Sequence, residues 1–334
     1  YPLQLTHPME RTLPRNRTSR WLLALTLLLA AGLLYLALRK VNWSEMLATL
    51  RAANPALLGL AALVLSVSCF LRGLRWRVLL STEKTLPPLM VFWATMTGYL
   101  GNAYLPARAG EVLRAVLIGQ RGGISKSFSL ATALTERIMD AVILVVVSAI
   151  ALTTVSALPP QLTQALRVMA LVGVTGAAAV FLAPRMSGLI QRVIARLPLL
   201  AGRWKEKIGG IAAEFITGAG ALQHGGRLAQ FMLYSTAIWS LDTLEGVLVA
   251  RAFGLALNPA QVFILLAALG LASALPSTPG YVGVYQFVAV TVLVPFGLTE
   301  TQALAMIVAF QGVQYIVISL WGLTGLGALN ARRT

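Results

Sequence analysis

Apolar residues come in nine runs: Trp21–Leu38, Pro55–Leu71, Leu89–Leu105, Arg137–Leu158, Leu166–Ala183, Leu228–Ala250, Pro259–Leu275, Tyr281–Pro295 and Ala303–Leu323. Roughly 20 apolar residues carry a helix across a hydrocarbon core of about 30 Å. Backbone in lipid must satisfy its own hydrogen bonds, so such runs predict helices. Between Pro184 and Arg227 the pattern changes. Ile190, Val193, Ile194 and Leu197 recur at helical spacing among Arg192, Arg196 and Arg203, which fits a helix lying on a membrane surface.

Composition sharpens this picture. The 334 residues are 57% hydrophobic and only 11% charged, against about 25% charged in soluble domains. The net charge is +16, from 27 Lys+Arg and 11 Asp+Glu. The basic residues sit between apolar runs, where they orient helices and meet anionic head groups. No nucleic-acid motif accompanies them, and nucleic acid is excluded as a partner. Cys69 is the single cysteine, and His7 and His224 lie far apart, so neither a disulfide nor a histidine metal site is expected and no cofactor is implied. Met9, followed by Arg11, Arg15, Arg17 and Arg20, reads as the natural start. Trp21–Leu38 runs into Arg39-Lys40 without a small-residue cleavage site and reads as an uncleaved helix.

The basic loops decide topology. With the N-terminus inside, a full crossing by Leu89–Leu105 would put Arg108, Arg114, Arg121 and Lys126 outside. A hairpin over residues 87–120 that dips in and returns through Glu111–Ile118 avoids this. A second hairpin, residues 259–297, then dips from the opposite face. The arrangement leaves only Arg39, Lys40, Arg51, Arg167 and Arg251 outside, and Arg137 at a helix entrance, of 27 basic residues. The expected fold is an all-α polytopic membrane bundle of about six full transmembrane helices plus two re-entrant hairpins. It comprises a basic tail (1–20), one transmembrane domain (21–329) with a basic interfacial segment (184–227), and a short basic tail (330–334). Both termini are expected in the cytoplasm of a bacterial-type inner membrane.

The hairpins share a pattern: Leu105-Pro106-Ala107-Arg108-Ala109-Gly110 and Leu275-Pro276-Ser277-Thr278-Pro279-Gly280 both read L-P-x-x-x-G. Paired, interrupted segments entering from opposite sides point to an inverted-repeat transporter with its site between them. Pro106, Gly110, Pro276, Pro279, Gly280 and Gly283 are the expected turn positions. Ionisable groups at membrane depth are costly and become binding candidates: Arg108, Glu111 and Arg114 on the first returning limb; Glu136, Arg137 and Asp140 at the start of a helix; Asp242 and Glu245 within Leu228–Ala250. Pairing these acids with Arg108, Arg114 and Arg137 would leave positive charge for a phosphate. Asn102, Tyr281 and Tyr285 flank the turns. Arg72, Arg75 and Arg77 with Trp76 read mainly as snorkelling and interfacial residues at a helix end.

At these residues the chain resembles the lysylphosphatidylglycerol synthase transmembrane region, or flippase-like, family. The matching pieces are R-G-x-R-W at Arg72–Trp76, G-Y-x-x-N-x-x-L-P-x-R-x-G-E-x-x-R-A at Gly98–Ala115, E-R-x-x-D at Glu136–Asp140 and L-P-x-x-P-G-x-x-G at Leu275–Gly283. The resemblance implies movement of polar-headed lipids between leaflets: aminoacylated phospholipids, glycolipids, isoprenoid-linked sugars or hopanoids. It supports Asn102, Arg108, Glu111, Arg114, Glu136, Arg137 and Asp140 on one side, and Pro276, Pro279, Gly280 and Gly283 on the other. Members that also synthesise the lipid carry a soluble aminoacyl-transfer domain after the membrane part; this sequence does not imply that activity.

Three functions follow. The leading one is a lipid flippase, not an enzyme, whose partners are membrane lipids with anionic or phosphate-bearing head groups. An intramembrane lipid-modifying enzyme needs a nucleophile with a base, or a metal, and Ser277 and Thr278 have no such base nearby in sequence. A non-transporting partner of an envelope-lipid enzyme would use the basic segment for docking. The lipid, direction, energy source and oligomeric state are not written in the sequence.

Overall fold

The computed structural model describes residues 43–105, 109–153, 160–196, 202–273 and 279–331, with Gly32 and Tyr35. These residues form twelve α-helices: α1 Trp43–Ala52, α2 Pro55–Leu80, α3 Pro88–Tyr104, α4 Ala109–Gly122, α5 Lys126–Thr153, α6 Pro160–Leu182, α7 Ser187–Arg196, α8 Gly202–Gly220, α9 Gly225–Ala252, α10 Pro259–Ala272, α11 Val284–Leu293 and α12 Glu300–Ala331. Residues 1–20, the first apolar run apart from Gly32 and Tyr35, Pro106, Arg108, Pro276 and residues 332–334 lie outside the described residues.

The chemistry of the starts is local. Asn54-Pro55 opens α2, the Asn54 side chain accepting from the N–H groups of Ala56 and Leu57. Asn258-Pro259 opens α10, where Asn258 and Gln261 form a capping box. Proline suits the first helical turn because its missing N–H would have no partner there.

Two described helices, Pro55–Leu80 and Glu300–Leu329, are long and apolar enough to cross a membrane, and Gly173–Leu182 with Ser187–Ile194 forms a candidate pair bent by 101°. α5 and α9 have 28 residues each, about 42 Å of helix, but carry charges in mid-helix. α5 begins about three turns before Arg137. Glu136, Arg137 and Asp140 therefore lie within a helix, not at its start as the apolar run suggested. The hydroxyls of Ser129, Thr132 and Thr135 donate to backbone carbonyls about one turn back, those of Ser125, Ser129 and Ala131, which lets this polar stretch remain helical among buried neighbours. α2 likewise extends beyond Leu71 and takes Arg72, Arg75 and Arg77 into its body. Within the basic segment, α8 is not wholly interfacial: a Cβ on its Gly218 would lie 2.9 Å from the backbone of Ala131 in α5.

α3 and α4 make one helical hairpin, α10 and α11 the other. Their limbs have 17, 14, 14 and 10 residues, or about 25, 21, 21 and 15 Å, each short of a roughly 30 Å core. α12 shows how they are placed. Its C-terminal half runs antiparallel to α3: a Cβ on Gly325 would meet Trp93 and one on Gly322 would meet Leu100, while Tyr104 pairs with Ser319. Its N-terminal half lies along α11, with Gln286 bonded to Gln311. The first hairpin thus approaches from one end of the bundle and the second from the other. Their tips meet beside residues 311–319 of α12.

The first hairpin is tight because it is built on glycine. A Cβ on Gly110 would collide with the carbonyl of Gly98, and one on Gly101 would lie 2.8 Å from the Gly110 Cα. Gly110 is therefore a close-approach residue between two helices as well as a turn neighbour. Gly110→Leu is expected to destabilise the protein by about 1–3 kcal/mol, the usual cost of overpacking, read as a lowered unfolding temperature in detergent.

Candidate functional site between two hairpin tips

Where the tips meet, the helices enclose a cavity of about 180 Å³. The first hairpin contributes Tyr99, Asn102 and Glu111, α5 contributes Arg137, and the second tip contributes Gly280, Tyr281 and Tyr285. α12 closes it with Gln311, Gln314 and Tyr315. Of the sequence-derived candidates, Asn102, Glu111, Arg137, Gly280, Tyr281 and Tyr285 thus share one cavity. The Tyr99 hydroxyl and Asn102 Oδ1 are buried with no hydrogen-bond partner among the described residues. Unmet polar groups facing a cavity are sites where a ligand or water recovers a desolvation cost.

The second tip is fastened to α12. The Gly280 carbonyl accepts from Gln311 Nε2 at 3.0 Å and from the Tyr315 hydroxyl at 2.9 Å. Gln286 donates to Gln311 and accepts from the Gly283 N–H at 2.7 Å. Gly280 and Gly283 adopt φ of +64° and +88°, and Tyr281 also sits in the left-handed region at +61°, which is rare for a bulky side chain. The Tyr281 ring stacks on Tyr285 with centroids 4.9 Å apart. Pro279 belongs to the turn Pro279–Tyr281.

Behind the cavity lies a buried charge cluster. Arg75 is fully buried. Its Nη2 donates to Glu136 Oε1 at 2.8 Å and its Nη1 to Asp140 Oδ1 at 2.6 Å and to Ser235 at 3.2 Å. Arg114 lies 2.9 Å from Glu136 and 2.7 Å from Glu111, its guanidinium over the Trp76 ring at 4.5 Å. Arg137 donates to Glu111 Oε1 at 2.7 Å, and the same oxygen accepts from Asn102 at 3.3 Å. On the other side of α2, Asp242 accepts from Ser68 at 2.6 Å and pairs with Arg72. Glu245 is fully buried one turn further along α9.

Four expectations change. Arg114 does not face the cavity; it is fully buried and held by two carboxylates. The four described arginines of the cluster each pair with a carboxylate, so the spare positive charge expected there is absent among the described residues. Arg137 reaches the cavity with 30% of its side chain exposed. Arg72 and Arg75 are not snorkelling helix-end residues but internal counter-ions. Glu136, Asp140, Asp242 and Glu245 lie outside the cavity lining and act, if on a ligand, through neighbours.

Gln311, Gln314 and Tyr315 escaped the sequence reading. Their signal was three polar side chains at i, i+3 and i+4, one helix face, inside the otherwise apolar run Ala303–Leu323.

The family model described as Lysylphosphatidylglycerol synthase TM region matches residues 22–322. A relative named "Glycosyltransferase AglD", from Haloferax volcanii, is 26% identical over 358 aligned positions that include 95% of this chain and 56% of that protein. The chain thus spans a little over half the length of the curated relative it matches. No solved structure matches the chain.

Proposed function

Given that the chain belongs to the lysylphosphatidylglycerol synthase TM region family, we propose that it moves a polar-headed lipid between membrane leaflets, without chemistry on the lipid. The observation that carries this reading is the polar cavity between two helical hairpins that approach from opposite ends of the bundle. The hairpins act as re-entrant halves of an inverted repeat. Irregular backbone at membrane depth persists only against protein or a wet cavity, and transporters place their site at such breaks. The phosphate of the head group meets Arg137, and its remaining hydroxyls or amides meet Asn102, Gln314 and Tyr99. The acyl or isoprenoid tail stays in the bilayer. Lys84 donates to the Gly122 carbonyl, next to Arg121 and close to Lys126 at the base of the first hairpin, and this concentration of basic residues supports reading that end as the cytoplasmic one.

The relative's printed name concerns glycosyl transfer. It brings lipid-linked sugars into the substrate class, and the amides and tyrosines of the cavity suit sugar hydroxyls.

The test is leaflet exchange of a fluorescent phospholipid in proteoliposomes. The parent protein is expected to exchange it well above protein-free vesicles. Arg137→Ala should slow exchange by about 10- to 100-fold, the effect of losing roughly 1.5–3 kcal/mol of charge-assisted hydrogen bonding. Identical rates for parent and empty vesicles, across phospholipid and sugar-linked probes, would reject transport.

A further inference from the structure

Glu245 is a buried carboxylate that the head-group cavity does not use. It is 0% exposed, and neither oxygen has a hydrogen-bond partner among the described residues. Its neighbours define it. On its own helix, Asp242 stands one turn back. From α2, Arg72 and Cys69 are close enough to interact electrostatically, but Arg72 is already paired with Asp242. From α12, the Gln314 amide approaches it without closing hydrogen-bond geometry. The facing stretch of α10, Pro259–Ala272, carries no ionisable residue.

This placement joins Glu245 to the cavity by two short routes. Gln314 lines the cavity directly. Arg72 lies over the ring of Tyr99, a second cavity residue, at 6.0 Å, and Arg137 lies over the same ring at 5.9 Å. A lone carboxylate sealed in protein costs several kcal/mol as an anion unless a cation is shared with it. A neutral carboxyl there leaves the Arg72–Asp242 pair intact; an anion competes with Asp242 for Arg72 and so pulls on the Tyr99 wall.

From this geometry we propose that Glu245 is the proton-exchange group that couples lipid movement to a proton gradient. Resting on the transport reading, the cycle is simple. A proton from water binds a Glu245 oxygen while the cavity opens to one leaflet. The same proton leaves to water when it opens to the other, and Arg72 shifts between Asp242 and Glu245 as the charge changes. No covalent bond other than O–H forms or breaks.

The experiment uses the full chain in vesicles of phosphatidylglycerol and phosphatidylcholine with a fluorescent phosphatidylglycerol probe and an imposed pH step. The readout is the steady-state distribution of probe between leaflets. One proton per lipid displaces it by up to about tenfold per pH unit. The parent should build such an asymmetry, and reversing the step should reverse it. A sodium gradient of equal size should build none. Glu245→Gln should exchange lipid to an even distribution at any pH step, and Glu245→Asp should restore part of the asymmetry. Even distribution by the parent, or asymmetry driven by sodium or kept by Glu245→Gln, overturns proton coupling while leaving transport standing. No exchange by the parent at any gradient rejects transport itself. The parent's response decides proton coupling, and Glu245→Asp, whose asymmetry must fall below the parent's, assigns it to Glu245 should Glu245→Gln fail to fold.

Discussion

Arg75→Met is expected to destabilise the bundle by about 3–5 kcal/mol, the penalty for removing one partner of a buried ion pair. The size follows from what Arg75 leaves behind. Glu136 keeps Arg114 at 2.9 Å, but Asp140 is left with Arg137 at 3.9 Å. Both acids lie in the middle of α5, away from bulk water. Replacing a whole buried ionic cluster by neutral groups is often close to neutral, whereas breaking it is not. The triple change Arg75→Met, Glu136→Gln, Asp140→Asn should therefore recover much of the loss. Unfolding free energies in mixed micelles check this. An Arg75→Met protein as stable as the parent would mean that Arg75 is an exposed, snorkelling residue.

Gly280→Ala should leave the protein folded and reduce lipid exchange by tenfold or more, an order-of-magnitude figure for misplacing a binding wall by about 1 Å. Gly280 has a φ of +64°, and a Cβ there would collide with the Tyr315 hydroxyl. That hydroxyl is one of the two donors holding the Gly280 carbonyl. The methyl group thus strains the backbone and unfastens the tip from α12 together. Gly254 supplies the control. Its φ is +70° and a Cβ would meet nothing within 4 Å, so Gly254→Ala carries only the left-handed penalty of about 1–2 kcal/mol. Leaflet-exchange rates for the two variants, normalised to folded protein, separate strain from displacement of the cavity wall. Equal rates for both would remove the second tip from the transport site.

Both breaks were legible because proline and glycine punctuate apolar runs there: the helices stop at Tyr104 and Ala272 and restart at Ala109 and Val284. Loop charge pointed to a run that turns back after Leu105, and α3 does pack against α4 through Gly98, Gly101 and Gly110. The side chains of the cavity were half legible. Asn102, Glu111, Tyr281 and Tyr285 stand beside the breaks in sequence and Arg137 is a charge at the edge of an apolar run, whereas Gln311, Gln314 and Tyr315 stand in a run with no break to draw attention to it. The role of Arg75 was not legible. R-x-x-R-W-R at the end of an apolar run reads the same whether the arginines reach for water or for acids, and its partners lie 61 and 65 residues away. Only packing α2 against α5 and α9 brings them together. Helix ends were misread for a related reason. Hydroxyls such as those of Ser129, Thr132 and Thr135 look polar, yet they donate to nearby backbone carbonyls and stay buried.

The decisive measurement is a cryo-electron microscopy map of the protein in a lipid nanodisc. Head-group density between Asn102, Arg137, Tyr281 and Tyr315, with the tail leaving toward the bilayer, is the expected result. Continuous straight helices through residues 105–109 and 273–279, with side chains filling the space between them and lipid bound only at the perimeter, would contradict it.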